Sequence, residues 1–275
     1  MRRSTVRTAT AVLGTTLALA ATTAASTTAV AADGVAPTWG EFVGSTYQDD
    51  DRGYIVNGDE PARTLGDLRS FYDVLLGSNH GPTMEDGLIV NTVNGRDDVW
   101  SASQVASLTY CVSDRFRGDK ARVVTAMNTG TGLWEAASSK INFTYVPNQD
   151  ATCSTKNTNV TFSVEPTKTT QYIARAFFPS TPKVSRNILV NARSLYSSGS
   201  WTPGNIMGHE LGHVLGLRHE HTRPEAGTCF EDNNWRPLTP YDSASIMHYP
   251  QCNGTSADLS MTDQDRAGIR ALYGS

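Results

Sequence analysis

Three of the chain's six histidines fall within eleven residues, His209-Glu-Leu-Gly-His-Val-Leu-Gly-Leu-Arg-His219. An α-helix turns about 100° per residue, so His209 and His213 lie about 40° apart around the axis, one turn apart along it. Both imidazoles can then reach a single ion. Glu210 flanks the same face, close enough to touch a water at that ion but turned away from ligation. Met207, Leu211 and Val214 occupy the opposite side and suit a core, while Gly208 and Gly212 leave a third strip bare for another element to approach. A helix continued past Leu215 would carry the chain away from the ion. Gly216 can adopt the left-handed conformation at low cost and turn the chain, which brings His219 round as a third ligand. Three neutral imidazoles leave one position open on a tetrahedral zinc, the arrangement of a catalytic site. One zinc ion is the expected cofactor, with Glu210 taking a proton from water and delivering it to a leaving amine. A bare His-Glu-x-x-His arises by chance in roughly one protein of this size in a hundred, and fixing Gly216 and His219 lowers that by roughly a few hundredfold more.

The rest of the sequence sets the frame for this window. With 275 residues and 23 aromatics the chain can bury a core. A net charge of −4 removes the electrostatic basis for a dedicated nucleic-acid partner, and no apolar run is long enough to span a bilayer. Arg2, Arg3 and Arg7 precede an Ala/Leu/Val/Thr-rich stretch, and Ala29-Val30-Ala31 supplies a small-residue cleavage pattern. Residues 1–31 therefore read as a signal peptide, and the location as secreted, extracellular. Export agrees with four cysteines, Cys111, Cys153, Cys229 and Cys252, which can pair in three ways. The local pairing 111–153 and 229–252 has the lower loop-closure cost and is preferred.

Residues 32–98 differ from the remainder of the chain, with no cysteine and an acidic patch, Asp49-Asp50-Asp51, that reads as a solvated turn. Thr64 and Asp67 start a helix whose apolar face is Leu65, Leu68, Tyr72, Leu75 and Leu76, stopped by Gly77. From Trp100 onward the pattern is a compact mixed domain. Leu108–Val112, Ile141–Val146, Val160–Val164, Tyr172–Phe178 and Asn187–Val190 are strand candidates. Val123, Met127, Gly130, Trp134 and Ala137 mark a helix face. Two helices close the domain: Pro203–Leu215, capped by Thr202 and ended by Gly216, and one from Thr262 to Tyr273 with Asp265 in its first turn. The order of elements predicts an α+β fold.

The complete pattern His-Glu-x-x-His-x-x-Gly-x-x-His resembles that of the metzincin clan of zinc endopeptidases. Ser245-Ile-Met-His-Tyr249 is similar to the clan's Met-turn, with Met247 as the floor beneath the metal. Glu220 after the third histidine, Arg223, and Tyr249 two residues past Met247 resemble the astacin branch. There the tyrosine ligates zinc in the free enzyme and swings to stabilise the oxyanion, and the glutamate supports the mature N-terminus. Pro224-Glu225 and the cysteine placement depart from that branch. The resemblance implies a zincin-like domain over 99–275, with a mixed twisted sheet, the active-site helix and a C-terminal helix, preceded by a pro-segment over 32–98. It also implies a secreted endopeptidase acting on proteins or peptides as a monomer, without nucleic-acid or membrane partners. Val56-Asn-Gly-Asp59 resembles the Gly-Asp motif through which astacin pro-segments cap their zinc, so Asp59 is a candidate plug, released by cleavage between about Arg96 and Trp100. The adjacent helix is expected to pack over or beside the cleft. His221 and His248 lack the helical spacing and read as solvent-facing or as neighbours of ligands. A zinc amidase acting on cell-wall peptides, or an inactive metal-bearing adhesion protein, are the rival readings.

Overall fold

The computed structural model describes residues 37–49, 53–77 and 88–275. The expected signal peptide, Asp50 and Asp51 lie outside them. Two short helices and a hairpin come first: α1 (Trp39–Ser45), β1 (Tyr54–Val56), β2 (Glu60–Ala62) and α2 (Leu65–Gly77). The Thr64–Asp67 cap forms in both directions, as the sequence predicts. Of the expected apolar face, Leu68 and Tyr72 are buried, whereas Leu65 and Leu76 are about half exposed. The helix turns its buried face toward its own segment. Its buried side chains pack with Trp39 and Phe42 of α1 and with Val56 and Ala62, giving this segment a small core of its own.

Next come β3 (Ile89–Val93), β4 (Arg96–Asp97), α3 (Ala102–Val105), β5 (Leu108–Val112), α4 (Lys120–Ala137), β6 (Phe143–Tyr145) and β7 (Phe162–Pro166). They are followed by β8 (Ala174–Arg175), β9 (Asn187–Val190), α5 (Ala192–Leu195), α6 (Pro203–Val214), β10 (Trp235–Pro237) and α7 (Asp263–Tyr273). The main sheet has the order β6-β5-β7-β9-β8, parallel except for β8, which runs antiparallel at the edge. This is the expected α+β architecture with a mixed sheet. The strand over Ile141–Val146 pairs only at Phe143–Tyr145, and Tyr172–Phe178 only at Ala174–Arg175. The flanking residues there make turns and loops.

The predicted face of α4 is buried in full, from Val123 to Ala137. It lies against α6 so closely that a Cβ on Gly130 would stand 2.7 Å from the Gly208 nitrogen. Trp134 is completely buried and donates its indole N–H to the Gly208 carbonyl at 2.8 Å. Met207, Leu211 and Val214 of α6 enter the same core, with Ile246, Met247 and Ile269. Both disulfides form as preferred, Cys111–Cys153 and Cys229–Cys252.

The residues before Trp100 are also packed on the larger body. Leu88, Ile89 and Val90 are fully buried, Leu88 in the main core. β3 pairs with β10, and the Ile89 carbonyl accepts from the Arg218 backbone. Asp98 accepts from Asn91 and from the Ser180 N–H and hydroxyl. Residues 88–98 therefore pack against the larger body.

Candidate active site

Thr202 caps α6 through the Asn205 N–H, and Pro203 supplies a preset φ at its first position. The helix ends at Val214, and Gly216 follows with φ +97°. A side chain at Gly216 would both strain this conformation and meet the Asp98 carbonyl oxygen at 2.3 Å. The turn lets the Leu217 carbonyl face back to His213 and carries His219 under the helix.

Each histidine is held by its other nitrogen. His209 Nδ1 lies 2.7 Å from the Ile246 carbonyl, His213 Nδ1 2.8 Å from the Leu217 carbonyl, and His219 Nδ1 2.7 Å from Glu231 Oε1. All three partners are acceptors, so each Nδ1 donates and each Nε2 presents a lone pair. The Nε2 atoms of His209 and His219 approach to 3.2 Å, although neither then has a proton to share. His213 Nε2, deeply buried, makes no hydrogen bond among the described residues. Buried lone pairs turned on one point need a cation between them. Ligands about 2.0–2.1 Å from a tetrahedral zinc stand about 3.3–3.4 Å apart, and the observed spacing fits.

The fourth corner is filled from the amino-terminal hairpin. Asn57 and Gly58, with φ of 54° and 93°, turn β1 into β2 and leave Asp59 at the tip. Its carboxylate oxygens lie 3.4 Å from His209 Nε2, 3.6 Å from His213 Nε2 and 3.2 Å from His219 Nε2, again the spacing of ligands around one ion. The same carboxylate accepts from the Tyr249 hydroxyl. The three histidines hold Asp59 well below the usual carboxylate range against the opposing effect of burial. The Gly58 backbone rests on the Tyr249 ring, where a Cβ would come within 3.2 Å.

Glu210 is 3% exposed, and its Oε2 has no hydrogen-bond partner among the described residues. Burial, reinforced by the Asp59 charge, holds its pKa well above the usual carboxylate range. The Tyr249 ring lies nearly parallel to His209, with centroids 5.3 Å apart, and tilted over His219. Burial and the carboxylates of Asp59 and Glu210 push its phenol up. Met247 lies beneath α6: a Cβ on Gly212 would stand 2.4 Å from its sulfur. The turn itself is tied to α7, because Asp265 accepts from the Ser245 hydroxyl at 2.5 Å and from the Ile246 N–H at 2.9 Å.

Sequence reasoning missed Glu231. Besides His219, it accepts from His221 Nε2 at 3.2 Å and Arg218 at 3.1 Å, and Arg218 also reaches Asp232 and, from the hairpin, Glu60. Burial opposes its ionisation, yet the histidines hold it below the usual carboxylate range. Its one sequence signal is adjacency to Asp232 in a region with no periodicity. His221 and His248 are not solvent-facing: both are buried, His221 against Glu231 and His248 against the Tyr241 hydroxyl. Glu220 and Arg223, 3.6 Å apart, are also wholly buried. Asp49, expected in a solvated turn, is buried on Arg175 and Tyr172.

The chain is similar to several known proteins. Human Tolloid-like protein 1 (Homo sapiens) and its mouse counterpart (Mus musculus) are each 35% identical over 91 residues, 25% of this chain. Human Tolloid-like protein 2 is 34% identical over the same length. The match spans only 9% of the length of these curated relatives. Among solved structures, myroilysin aligns at TM-score 0.46 and 16% identity, over 67% of this chain and 98% of that one. High choriolytic enzyme 1, a hatching enzyme zinc-protease from Oryzias latipes (Medaka fish), aligns at 0.41 and 19%, over 64% and 94%. Scores this low add nothing to the architecture of the sheet and helices. The Peptidase_M57 model, described as dual-action HEIGH metallo-peptidase, matches residues 97–273, which include the three histidines, Glu210, Met247 and Tyr249. The chain therefore belongs to this family of metallopeptidases.

Proposed function

We propose that this chain is the latent precursor of a secreted endopeptidase in which His209, His213 and His219 hold the zinc, Glu210 is the general base and Tyr249 the oxyanion donor. The observation that carries the reading is the convergence of three buried Nε2 lone pairs beside an unpartnered Glu210 oxygen. When bound, zinc supplies Lewis acidity toward the scissile carbonyl and the attacking water. Glu210 takes the proton from that water and returns it to the leaving amine. Its raised pKa in the precursor has two causes, burial and the Asp59 charge, and departure of Asp59 removes the second. Tyr249, freed from Asp59, turns its hydroxyl to the oxygen on which charge develops. Met247 keeps the floor of the site dry, and Glu231 fixes the tautomer of His219.

Asp59 serves as the plug and the segment up to Gly77 as its holder. Release is proposed by cleavage between about Arg96 and Trp100. Two disulfides agree with an oxidising, extracellular setting. Substrates are proteins or peptides, and the enzyme works as a monomer. The test is to incubate the processed chain with unfolded protein and with cell-wall peptides, with and without a chelator, and to map the cuts. Chelator-sensitive cleavage of internal peptide bonds in the protein is expected. Cleavage confined to cell-wall peptides would replace the reading with the amidase, and no cleavage of either with the inactive binding protein.

A further inference from the structure

The hairpin segment has a second buried carboxylate on the catalytic body, and the site that receives it takes no part in the zinc chemistry. Arg175 lies on β8, the edge strand, which packs on α6. Its side chain is 1% exposed. Arg175 Nε donates to Asp49 Oδ2 at 2.8 Å, and Nη1 donates to Asn187 Oδ1 at 3.0 Å. The Tyr172 hydroxyl donates to the same Asp49 oxygen at 2.8 Å. Around this contact, Ile55 and Tyr47 of the amino-terminal segment pack on Tyr172 and Leu189.

Arg175 on β8 and Tyr172, three residues before it, converge on one oxygen, and Asn187 on β9 holds the guanidinium through its side-chain carbonyl. Such a pair is pre-aimed at a carboxylate. A buried guanidinium is strongly destabilised when its anionic partner is withdrawn, so departure of Asp49 leaves a position that favours another carboxylate. That position belongs to β8, which packs on α6, the helix of His209 and Glu210. We infer that Arg175, Tyr172 and Asn187 form a carboxylate subsite of the substrate cleft, occupied in the precursor by Asp49 and in the processed enzyme by a carboxylate of the substrate. The inference rests on the proposed release of the segment. It selects peptides that carry Asp or Glu at one position near the cut, or that present a free chain terminus there.

The test uses the processed enzyme and quenched peptides in matched pairs, Asp against Asn and Glu against Gln, at about four positions on each side of the scissile bond. A further pair compares a free carboxyl terminus with its amide. Charge-assisted hydrogen bonds of this kind correspond to roughly 10- to 100-fold in kcat/KM. One position, internal or terminal, is expected to show that preference, and this identifies the source of the carboxylate. In Arg175→Gln enzyme the acid-to-amide ratio should fall to near one; the ratio, not the absolute rate, is the readout. Should that variant fail to fold, Tyr172→Phe, which keeps the ring and removes one donor, should lower the ratio severalfold. Wild-type enzyme that cuts neutral and acidic members of every pair equally overturns the subsite and leaves the proposed proteolysis standing. An acid preference that survives both substitutions also overturns it, and failure to cut any peptide removes both readings together.

Discussion

Glu231→Gln should weaken zinc binding while leaving the three histidines and the overall packing in place. The substitution keeps side-chain volume and an acceptor oxygen but removes the charge that holds the Nδ1 proton of His219, 2.7 Å away. It also gives the amide two donors, so a rotation that turns its nitrogen to His219 would oppose the ligating tautomer. Outer partners of metal-bound histidines are typically associated with 10- to 100-fold in affinity. The upper half of that range is expected, because Glu231 is 3% exposed and supports His221 and Arg218 as well. Loss of a buried ion-pair partner can destabilise by about 3–5 kcal/mol. Here Arg218 retains Asp232 at 2.7 Å, so the cost to the zinc-free fold should fall below that range. Two assays separate the effects: competition with a chromophoric chelator gives the zinc affinity, and thermal unfolding with and without zinc gives stability. A tenfold weaker site lowers zinc-linked stabilisation by about 1.4 kcal/mol at fixed free zinc. Wild-type zinc affinity in a folded Glu231→Gln protein would refute the assignment of His219 Nε2 as a ligand oriented through Glu231.

Glu210→Ala should retain zinc, read by metal analysis, and lose turnover by at least about a hundredfold, because proton transfer goes and the ligands stay. Near-normal hydrolysis would sink the general-base role. Tyr249→Phe keeps the stacked ring and removes one hydrogen bond, so kcat should drop about a hundredfold or more with little change in KM; unchanged kinetics would make Tyr249 a packing residue. Uncut Asp59→Ala precursor should cleave peptides where uncut wild type does not, and equal silence would show that Asp59 is not the plug. Replacing Cys229 and Cys252 with serine removes a bridge across 23 residues, a loss of about 3 kcal/mol; activity should fail at a lower temperature than the main core unfolds, followed by peptide cleavage against far-UV circular dichroism.

The parts of this molecule that could be read from sequence are those in which neighbours along the chain are also neighbours in space. The face of α6, its Thr202 cap and its exit at Gly216 all follow from local spacing, and so do the buried stripe of α4 and the Thr262–Asp265 cap of α7. Strands were less legible. Tyr172–Phe178 alternates like a strand, yet only two of its residues pair with β9, because sheet pairing is decided by a partner elsewhere in the chain. Long-range polar contacts were not legible at all. Asp49 meets Arg175 across 126 residues and Glu60 meets Arg218 across 158, and a carboxylate bound for such a partner looks in sequence like any solvated acid. Glu231 is the same case at the site itself. Asp59 could be named only because its short motif resembles a known one; nothing in its own neighbourhood points to His219.

The way the amino-terminal segment holds on to the body is compatible with its proposed release. Its apolar residues are mostly committed internally, with Phe42, Leu68 and Tyr72 packed on one another. Among the described residues, its contacts with the catalytic body include one small apolar patch, through Ile55 and Tyr47, the Gly58 backbone on the Tyr249 ring, and three carboxylates. Asp59 faces the histidines, Asp49 faces Arg175, and Glu60 faces Arg218. A segment docked by a broad apolar face would leave a sticky surface on both parts after cleavage. Carboxylates leave polar sites that water, zinc chemistry or substrate can satisfy in their place. Such contacts are strong while the chain is continuous, because the attached segment acts at high effective concentration. The proposed cleavage would remove that advantage without changing a contact. The three carboxylates would then regain full hydration, and release would become favourable by dilution alone.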